Sequence, residues 1–494
     1  MSSQSPPEPT SGSSTGSSGI PPTPTGPVGA RARLARGVRF FGQALRGDGP
    51  GPTQGPLVPA ILLLAVPMVL EMSMESVFAV VDIFWVSRLG EAAVTAVGVT
   101  EILMAVLYTV DGGLSIGITA LVARRIGQGD PDGAADGVVQ AGLLGLAVCT
   151  VTGILGAIYA PDLLRLMGAE PEVVAVGTGY TRVLLGFNGV LLFLFVFNAV
   201  FRGAGDAAIA MRVLWLANGL NLVLDPLLIF GWGPFPEMGV TGAAVATTIG
   251  RGTAVGVQMW TLLTVSDRIR VGVRHLRVRL DVMARLLRLS GTGALQTGVA
   301  TLSWVGLVRV MATFGTEALA GYTVAIRLLI FALLPAWGLS NAAATMVGQN
   351  LGAGLPDRAE RGAWASAWLN MAFLSTVGVV FLLGAGWLVA PFGLEGEARR
   401  FAEQGLRIMS AGFFFYGPGM ALTQAFNGAG DTWTPTWLNF AFLWGLMIPA
   451  SWVLAYPAGF GVNGVFAAVP LAYLGLTALS GLLFRRGRWK TMEV

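Results

Sequence analysis

Cysteine, histidine and charged side chains are all scarce in this chain of 494 residues. It has one cysteine, Cys149, and one histidine, His275, so an intrachain disulfide and a zinc or iron site built from several such ligands are both excluded. Charged residues make up 12% of the sequence, whereas soluble domains carry about 25%. Hydrophobic residues make up 54% and glycines number 69. One soluble core cannot bury that much apolar surface, so the composition predicts an integral membrane protein.

The N-terminal residues 1–50 are expected to form a disordered, basic, cytoplasmic tail. The first 30 are rich in Ser, Pro, Gly and Thr, and they lack the apolar stretch of a cleavable signal peptide. Arginines then alternate with apolar residues from Arg31 to Arg46. This pattern indicates either a short amphipathic segment at an anionic leaflet or a plain positive flank before the first span.

Apolar runs of about 20 to 30 residues, separated by short polar breaks, begin at Leu57 and predict twelve transmembrane helices. The expected fold is therefore an all-α membrane protein with two six-helix lobes. Cys149 is expected to pack within a helix, and His275 to be a solvated loop residue. The predicted divisions are an N-terminal lobe at 51–265, a basic cytoplasmic linker at 266–282, a C-terminal lobe at 283–486 and a cytoplasmic C-terminal tail at 487–494.

The arginines concentrate in alternate breaks between the spans, including the central linker. By the positive-inside rule, this places the linker and both termini in the cytoplasm. The same placement argues against a nucleic-acid track, although the formal net charge is +4.

Glycine-containing motifs recur at a constant offset of 225 residues, so that Gly113-Leu114-Ser115 matches Gly338-Leu339-Ser340 and Arg202-Gly203-Ala204-Gly205-Asp206 is matched by Gly428-Ala429-Gly430-Asp431 in its last four positions. Each repeat has six helices, so both have the same orientation in the membrane. Parallel repeats of this kind are typical of transporters that bind substrate between the two halves.

Carboxylates inside the predicted spans occur only in the N-terminal half, whereas those of the C-terminal half fall in breaks or near helix ends. Ionisable groups in hydrocarbon are costly, so each is a candidate functional group. Static pairing with arginines such as Arg182, Arg212, Arg251 or Arg327 is the alternative. The embedded acids are Glu71, Glu75, Asp82, Glu101, Asp111 and Asp225.

Two groups of polar residues share a helix face. Glu71, Glu75 and Asp82 lie within roughly 40° of one another on the first helix, and Pro67 in the same helix can kink it. In the fifth helix Asn221 and Asp225 are one turn apart, and a proline follows. Carboxylate, amide and freed carbonyl oxygens can hold a proton or a sodium ion.

These motifs resemble the multidrug and toxic compound extrusion (MATE) family of transporters over about residues 55 to 486. The resemblance is carried by Val81-Asp82-Ile83-Phe84-Trp85-Val86-Ser87 with Leu89-Gly90, Gly127-Gln128-Gly129-Asp130, Arg202-Gly203-Ala204-Gly205-Asp206, Asn221 through Asp225-Pro226, and Gly239-Val240-Thr241-Gly242-Ala243-Ala244.

The resemblance implies a V-shaped bundle that exports cationic or amphipathic drugs in exchange for H⁺ or Na⁺, with no other cofactor or metal. In the branch grouped with DNA-damage-inducible protein F, the coupling site lies in the N-terminal lobe. The matching hinge is Pro67, and Glu71, Glu75 and Asp111 remain possible cavity acids outside that pattern. The matching cation-coupling residues are Asp82, Asp225, Asn221, Asn198 and Tyr180, with either Thr241 or Thr247 as the hydroxyl.

Two rival functions remain. A lipid-linked oligosaccharide flippase of the same superfamily would favour a basic cavity for its pyrophosphate, whereas the embedded charge here is acidic. A membrane enzyme would need reactive clusters in sizeable loops, and the loops are short. The sequence therefore favours a monomeric drug exporter of a bacterial inner membrane, with a drug-like small molecule and membrane lipids as partners and no nucleic acid.

Overall fold

The structure, a computed structural model, describes residues 30–49 and 51–492. The chain divides into two compact units after Phe40. Residues Ala30–Arg46 form helix α1, so the expectation of a disordered tail is wrong for this segment. Residues 1–29 of the expected tail lie outside the described residues.

Helices make up the first lobe, which follows α1. Many begin with proline or directly after glycine, the residues that commonly start a helix or terminate the preceding one. The bounds are α2 (Leu57–Val86), α3 (Glu91–Gly127), α4 (Pro131–Leu166), α5 (Pro171–Gly186), α6 (Asn188–Gly203), α7 (Ala207–Ile229) and α8 (Val240–Trp260).

The second lobe repeats this order. A π-helical segment, Phe440–Met447, joins two short helices into one rod. The bounds are α9 (Leu280–Ala312), α10 (Thr316–Gly352), α11 (Pro356–Val389), α12 (Gly396–Ala411), α13 (Phe413–Ala429), α14 (Trp433–Asn439), α15 (Ile448–Ala455) and α16 (Val462–Arg485).

Nine helices within the described residues are long and apolar enough to cross a membrane, and the pair α5 and α6, bent by 43°, makes a tenth span. By its place in the repeat, the pair α12 and α13 corresponds to α5 and α6. Helix α8 takes the place in the first repeat that α16 takes in the second. The described residues contain no strand, so the all-α prediction is confirmed.

The helix starts follow the predicted offset of 225 residues. Helices α3 and α10 begin at Glu91 and Thr316, and each follows a glycine in the positive-φ region, Gly90 at 100° and Gly315 at 93°. Side chains other than glycine rarely adopt this conformation. The sequence repeat is therefore a structural repeat, in which the same turns place equivalent helices.

The second helix of each lobe packs against the first helix of the other lobe. In α3, a Cβ atom on Gly113 would lie 2.4 Å from the Ser290 carbonyl oxygen of α9. In α10, a Cβ atom on Gly338 would lie 2.4 Å from the Met68 carbonyl oxygen of α2. The absence of a side chain lets the backbones approach, as in other small-residue contacts between membrane helices. These two equivalent contacts join the lobes.

The linker between the lobes is ordered against α4. Gln140 is fully buried and binds it twice, donating to the Arg277 carbonyl and accepting from the Arg279 amide. His275 is 4% exposed, so the expectation of a solvated histidine is wrong. Its Nδ1 accepts from the Gly272 amide and its Nε2 lies 3.3 Å from Asp132 Oδ1, contacts that satisfy both ring nitrogens. Cys149 packs in α4, as expected.

Candidate functional site

A cavity of about 420 Å³ lies between the two lobes. One face of α3 lines it, because Asp111, Ser115 and Thr119 follow one another at intervals of four residues. The volume is in the range of small-molecule sites. Other polar and aromatic lining residues are Glu71, Glu75, Tyr108, Asn198, Arg202 and Arg251 from the first lobe, and Trp337, Asn341, Gln424 and Asn427 from the second.

Two of the cavity acids are paired with arginines. Glu71 Oε1 accepts from Arg202 Nη1 at 2.8 Å, and both side chains are buried. Glu75 Oε1 accepts from Arg251 Nη2 at 3.1 Å, and its other oxygen accepts from Asn218 at 3.4 Å. Arg251 thus acts as the static partner that the sequence left open, whereas Arg202, expected in a turn, points into the cavity. Glu71 and Glu75 are therefore neutralised in this structure.

Asp111, the third cavity acid, has no cation beside it. Its side chain lies on α3 and is 3% exposed. Within the described residues it makes neither an ion pair nor a hydrogen bond. Glu101, which lies ten residues before Asp111 on α3, is exposed. Among the described acids that line the cavity, Asp111 alone is left without an ion pair or hydrogen bond.

A separate polar group lies at the candidate coupling site. Asp225 of α7 is fully buried, and neither of its carboxylate oxygens has a hydrogen-bond partner in the described structure. Asp82 of α2 is half-buried, its Oδ1 is likewise without a partner, and the two carboxylates lie within range of each other's charge. One turn before Asp225, Asn221 donates to Thr247 Oγ1 at 3.0 Å and leaves its own oxygen free. The arrangement presents several oxygen atoms, and in the described residues neither carboxylate forms an ion pair.

The other residues expected at the coupling site lie around this group in different ways. Tyr180 of α5 is buried within range of the Asp82 charge. Thr241 packs against α5, because a Cβ atom on Gly179 would lie 2.3 Å from its hydroxyl oxygen. Asn198 of α6 instead lines the cavity and accepts from Gln258 at 2.6 Å. Of the two candidate hydroxyls, Thr247 is therefore the one that contacts Asn221.

Pro67 lies inside α2, which runs unbroken from Leu57 to Val86. It directly precedes Met68, whose carbonyl oxygen meets Gly338 of the second lobe. Proline removes one backbone hydrogen bond from a helix and eases its bending. The expected hinge therefore lies where α2 touches the other lobe.

A second chamber of about 440 Å³ lies within the second lobe. No acidic or basic side chain of the described residues lines it, and its walls are mainly apolar and aromatic. The rings of Tyr416 and Tyr473 stack at one wall, with centroids 3.4 Å apart. Sequence reasoning missed this chamber, since its aromatic residues cannot be distinguished by type from those that face lipid. Other lining residues are Gln296, Trp304, Trp337 and Met420.

The lobes are bonded to each other near the linker end of the molecule. Thr345 of α10 donates to the Arg202 carbonyl at 2.9 Å, and Gln349 donates to the Gly203 carbonyl at 2.8 Å. Arg124 of α3 donates to the carbonyls of Ala429 and Met492. In the described part of the chain, every hydrogen bond between the lobes lies toward this end. The cavity is consequently closed on the linker side.

No group of three or more His, Cys, Asp or Glu side chains in the described residues could hold a metal ion. A sodium ion at Asp82 and Asp225 would therefore need further oxygens. Asn221, Thr247 and the carbonyl freed by Pro226 in α7 carry the required type of ligand.

Comparisons with known proteins agree with this architecture. The family model MatE matches residues 67–227 and 297–453. A probable multidrug resistance protein NorM of Thermotoga maritima is 26% identical over 440 residues, covering 88% of this chain and 93% of the relative. An FAD transporter of Shewanella oneidensis is 24% identical over 430 residues, covering 86% and 94%.

Solved structures give the same result. A multidrug resistance MATE family transporter of the MOP superfamily in an outward-facing conformation has a TM-score of 0.82 and 25% identity, covering 90% of this chain and 97% of that one. The predicted resemblance and the predicted twelve-helix fold are confirmed. Because the family model covers more than half of the sequence, the chain belongs to the MatE family of transporters, as a multi-pass membrane protein and not an enzyme.

Proposed function

We propose that the chain is a secondary active multidrug exporter that moves cationic or amphipathic small molecules outward in exchange for H⁺ or Na⁺. The observation that carries this proposal is the pair Asp82 and Asp225, two carboxyl groups inside one lobe, neither of which forms an ion pair in the described residues. The relatives named as multidrug resistance proteins support efflux as the direction of transport.

Two neighbouring carboxylates in a low-dielectric interior repel each other and lose their hydration. A proton removes the charge of one carboxylate, and a sodium ion bound between the two offsets one of their two negative charges. The free oxygen of Asn221 and the hydroxyl of Thr247 would complete the shell of a sodium ion. Binding either ion therefore lowers the electrostatic cost of the buried carboxylates, and the ion is released when a change of conformation alters their surroundings.

Ion binding at this pair can reach the cavity through Arg251. Its guanidinium group binds Glu75 at the cavity wall and lies within range of the Asp82 charge. Neutralising Asp82 therefore removes one of the negative charges that act on Arg251, while Glu75 and Tyr108 remain beside it. Movement of α2 at Pro67 would in turn shift the contact of Met68 with Gly338, which joins the lobes. A difference of a few kcal/mol in ion affinity between two states is enough for coupling.

The closed linker side corresponds to one end state of alternating access. We place the linker and both chain termini in the cytoplasm of a bacterium, by the arginine content of the breaks. On this proposal the conformation is the one closed to the cytoplasm, and the working unit is a monomer in the inner membrane.

The charge of the cavity favours cationic cargo. Three carboxyl groups and two guanidinium groups line it, for a formal net charge of −1, and both guanidinium groups are paired. A flippase for a lipid pyrophosphate, or a carrier of an anionic dinucleotide like the relative from Shewanella oneidensis, would need cations free to bind phosphate. Drug export therefore fits the site better than either.

The test is transport of rhodamine 6G by purified protein in proteoliposomes, driven separately by an imposed pH gradient and an imposed sodium gradient. We expect one gradient to drive transport, and Asp82→Asn and Asp225→Asn to abolish it while the proteins remain monodisperse. Asp130→Asn is the matched control, since Asp130 lies outside the cavity beside Arg125 and asparagine also caps a helix. Wild-type transport rates in both variants would refute the coupling role.

A further inference from the structure

We propose that Asp111 binds the positive charge of the cargo, as one half of a two-part site whose other half is the aromatic chamber of the second lobe. This inference rests on the proposed export function and assigns the cargo a site separate from that of the coupling ion.

Charge balance in the cavity singles out Asp111. The carboxylate of Glu71 is offset by Arg202, and that of Glu75 by Arg251, at 2.8 Å and 3.1 Å. Asp111 is 97% removed from solvent, yet it has no ion pair or hydrogen bond in the described structure. Buried carboxylates are ordinarily paired or hydrogen-bonded, because burial alone removes their hydration. The missing partner is therefore supplied from outside the chain, and a carboxylate calls for a cation.

The surroundings of Asp111 suit an organic cation more than a small metal ion. One turn later on α3, Ser115 also points into the cavity with a buried and unpartnered hydroxyl. Other carboxylates that could ligate a metal at Asp111 are already bound to arginines, and the described residues contain no metal-binding cluster. A bulky monovalent cation needs one counter-charge and space, and the cavity provides both.

The cavity and the aromatic chamber adjoin. Six residues line both spaces, among them Ile116 of α3 and Trp337 of α10. The face of an indole ring attracts cations and also packs against apolar groups. A cargo with its charge at Asp111 could therefore extend its apolar body past Trp337 toward the stacked Tyr416 and Tyr473. The chemical class that fits is a monovalent cation with a large aromatic body.

The two carboxylates of the coupling site are not among the residues that line the cavity. Asp82 and Asp225 belong to a separate group around Asn221 and Thr247. Cargo at Asp111 and an ion at Asp82 can consequently be bound at the same time. Competition between them would then act through the conformation of the protein and not through one shared carboxylate.

Equilibrium binding of tetraphenylphosphonium to the purified full-length chain tests the assignment without any gradient. We expect Asp111→Asn to weaken binding at least about tenfold, as for the loss of a charge-assisted contact, and Asp111→Glu to recover part of it. Trp337→Ala should weaken binding less. The control Asp130→Asn should bind like wild type. Wild-type affinity in folded Asp111→Asn would overturn the proposal.

Carbodiimide labelling of the wild-type protein gives a second measurement that does not depend on a variant. Mass spectrometry should show modification of Asp111 that saturating tetraphenylphosphonium prevents. Equal modification with and without this cation would also overturn the proposal. Failure of the export function would be recognised separately, by gradient-driven transport that survives Asp82→Asn.

Discussion

The buried pair of Glu71 and Arg202 gives a prediction that can be worked out from the structure. The side chains are 1% and 9% exposed, and Oε1 lies 2.8 Å from Nη1. Glu71→Gln keeps the shape of the side chain but leaves a guanidinium group buried without a counter-charge. Arginine cannot give up its proton to escape that cost. Removing one partner of such a pair typically costs about 3–5 kcal/mol.

The reverse variant is expected to be milder. Arg202→Met leaves the Glu71 carboxyl group, which can take up a proton, and the Arg202 backbone carbonyl still accepts from Thr345. The double variant Glu71→Gln with Arg202→Met removes both charges and should recover most of the lost stability, because replacing a whole buried pair with uncharged groups is often close to neutral. The expected order of stability is wild type and double variant first, then Arg202→Met, then Glu71→Gln.

Heating followed by fluorescence-detected size-exclusion chromatography measures this order on detergent-solubilised protein. Asp130→Asn is the control, because its pair with Arg125 is partly exposed, at 40% and 30% for the two side chains, and should contribute about 0–1 kcal/mol. A folded Glu71→Gln protein that melts at the wild-type temperature would refute the reasoning, since the Arg202 side chain would then have access to water or to another partner.

Three further predictions concern the contacts between and within the lobes. Gly113→Ala should reduce the yield of folded protein, because its Cβ atom would lie 2.4 Å from backbone atoms of α9; Gly98→Ala, in an open part of the same helix, should be tolerated or gain up to about 1 kcal/mol, and chromatography reports both. Trp489→Ala should lose about 3–5 kcal/mol in the melting assay, since the ring is fully buried and stacks on Phe484 at 4.3 Å, whereas Trp387→Ala, at a residue that is 81% exposed, should change little. Thr345→Ala with Gln349→Ala removes two hydrogen bonds between the lobes, each worth about 0.5–1.5 kcal/mol. In a Cys149→Ala background, this double variant should increase the labelling of a cysteine placed at Thr119 in the cavity by a maleimide applied from the linker side. Unchanged labelling would mean that these hydrogen bonds do not keep the linker side of the cavity closed.

The fold could be predicted from the sequence because its signals are local and repeated. Hydrophobic length gives the spans, and the constant offset between glycine turns gives the two lobes. The structure shows why the offset is so regular: the turns at Gly90 and Gly315 have the same conformation, and Gly113 and Gly338 make equivalent contacts. The predicted disordered tail was drawn to residue 50 from the polar composition of its first 30 residues, whereas a helix begins at Ala30.

The pairing of the cavity charges could not be predicted in the same way. Which arginine neutralises which acid depends on how separate helices are rotated against one another, and the sequence contains no direct measure of that rotation. Arg202 lies in the last turn of α6, beside a glycine turn, and only the folded arrangement brings its side chain to Glu71. The unpaired state of Asp111 follows only once the partners of Glu71 and Glu75 are known.

The two lobes make equivalent backbone contacts, but they differ in the charged side chains that they bury. This difference indicates that the two lobes have different roles in transport. Equivalent contacts at Gly113 and Gly338 join the lobes at two similar helix crossings. The unpartnered carboxyl groups of Asp82, Asp225 and Asp111 lie in the first lobe, whereas the described chamber of the second lobe has only uncharged walls. An ion or a cationic cargo therefore changes the free energy of the first lobe. The second lobe contributes apolar surface, which binds hydrophobic bodies with little demand on their shape. On this argument, substitutions in the first lobe should alter dependence on ions and on cargo charge, while substitutions at Trp304 or Tyr473 should alter which hydrophobic bodies are carried and leave the driving ion unchanged.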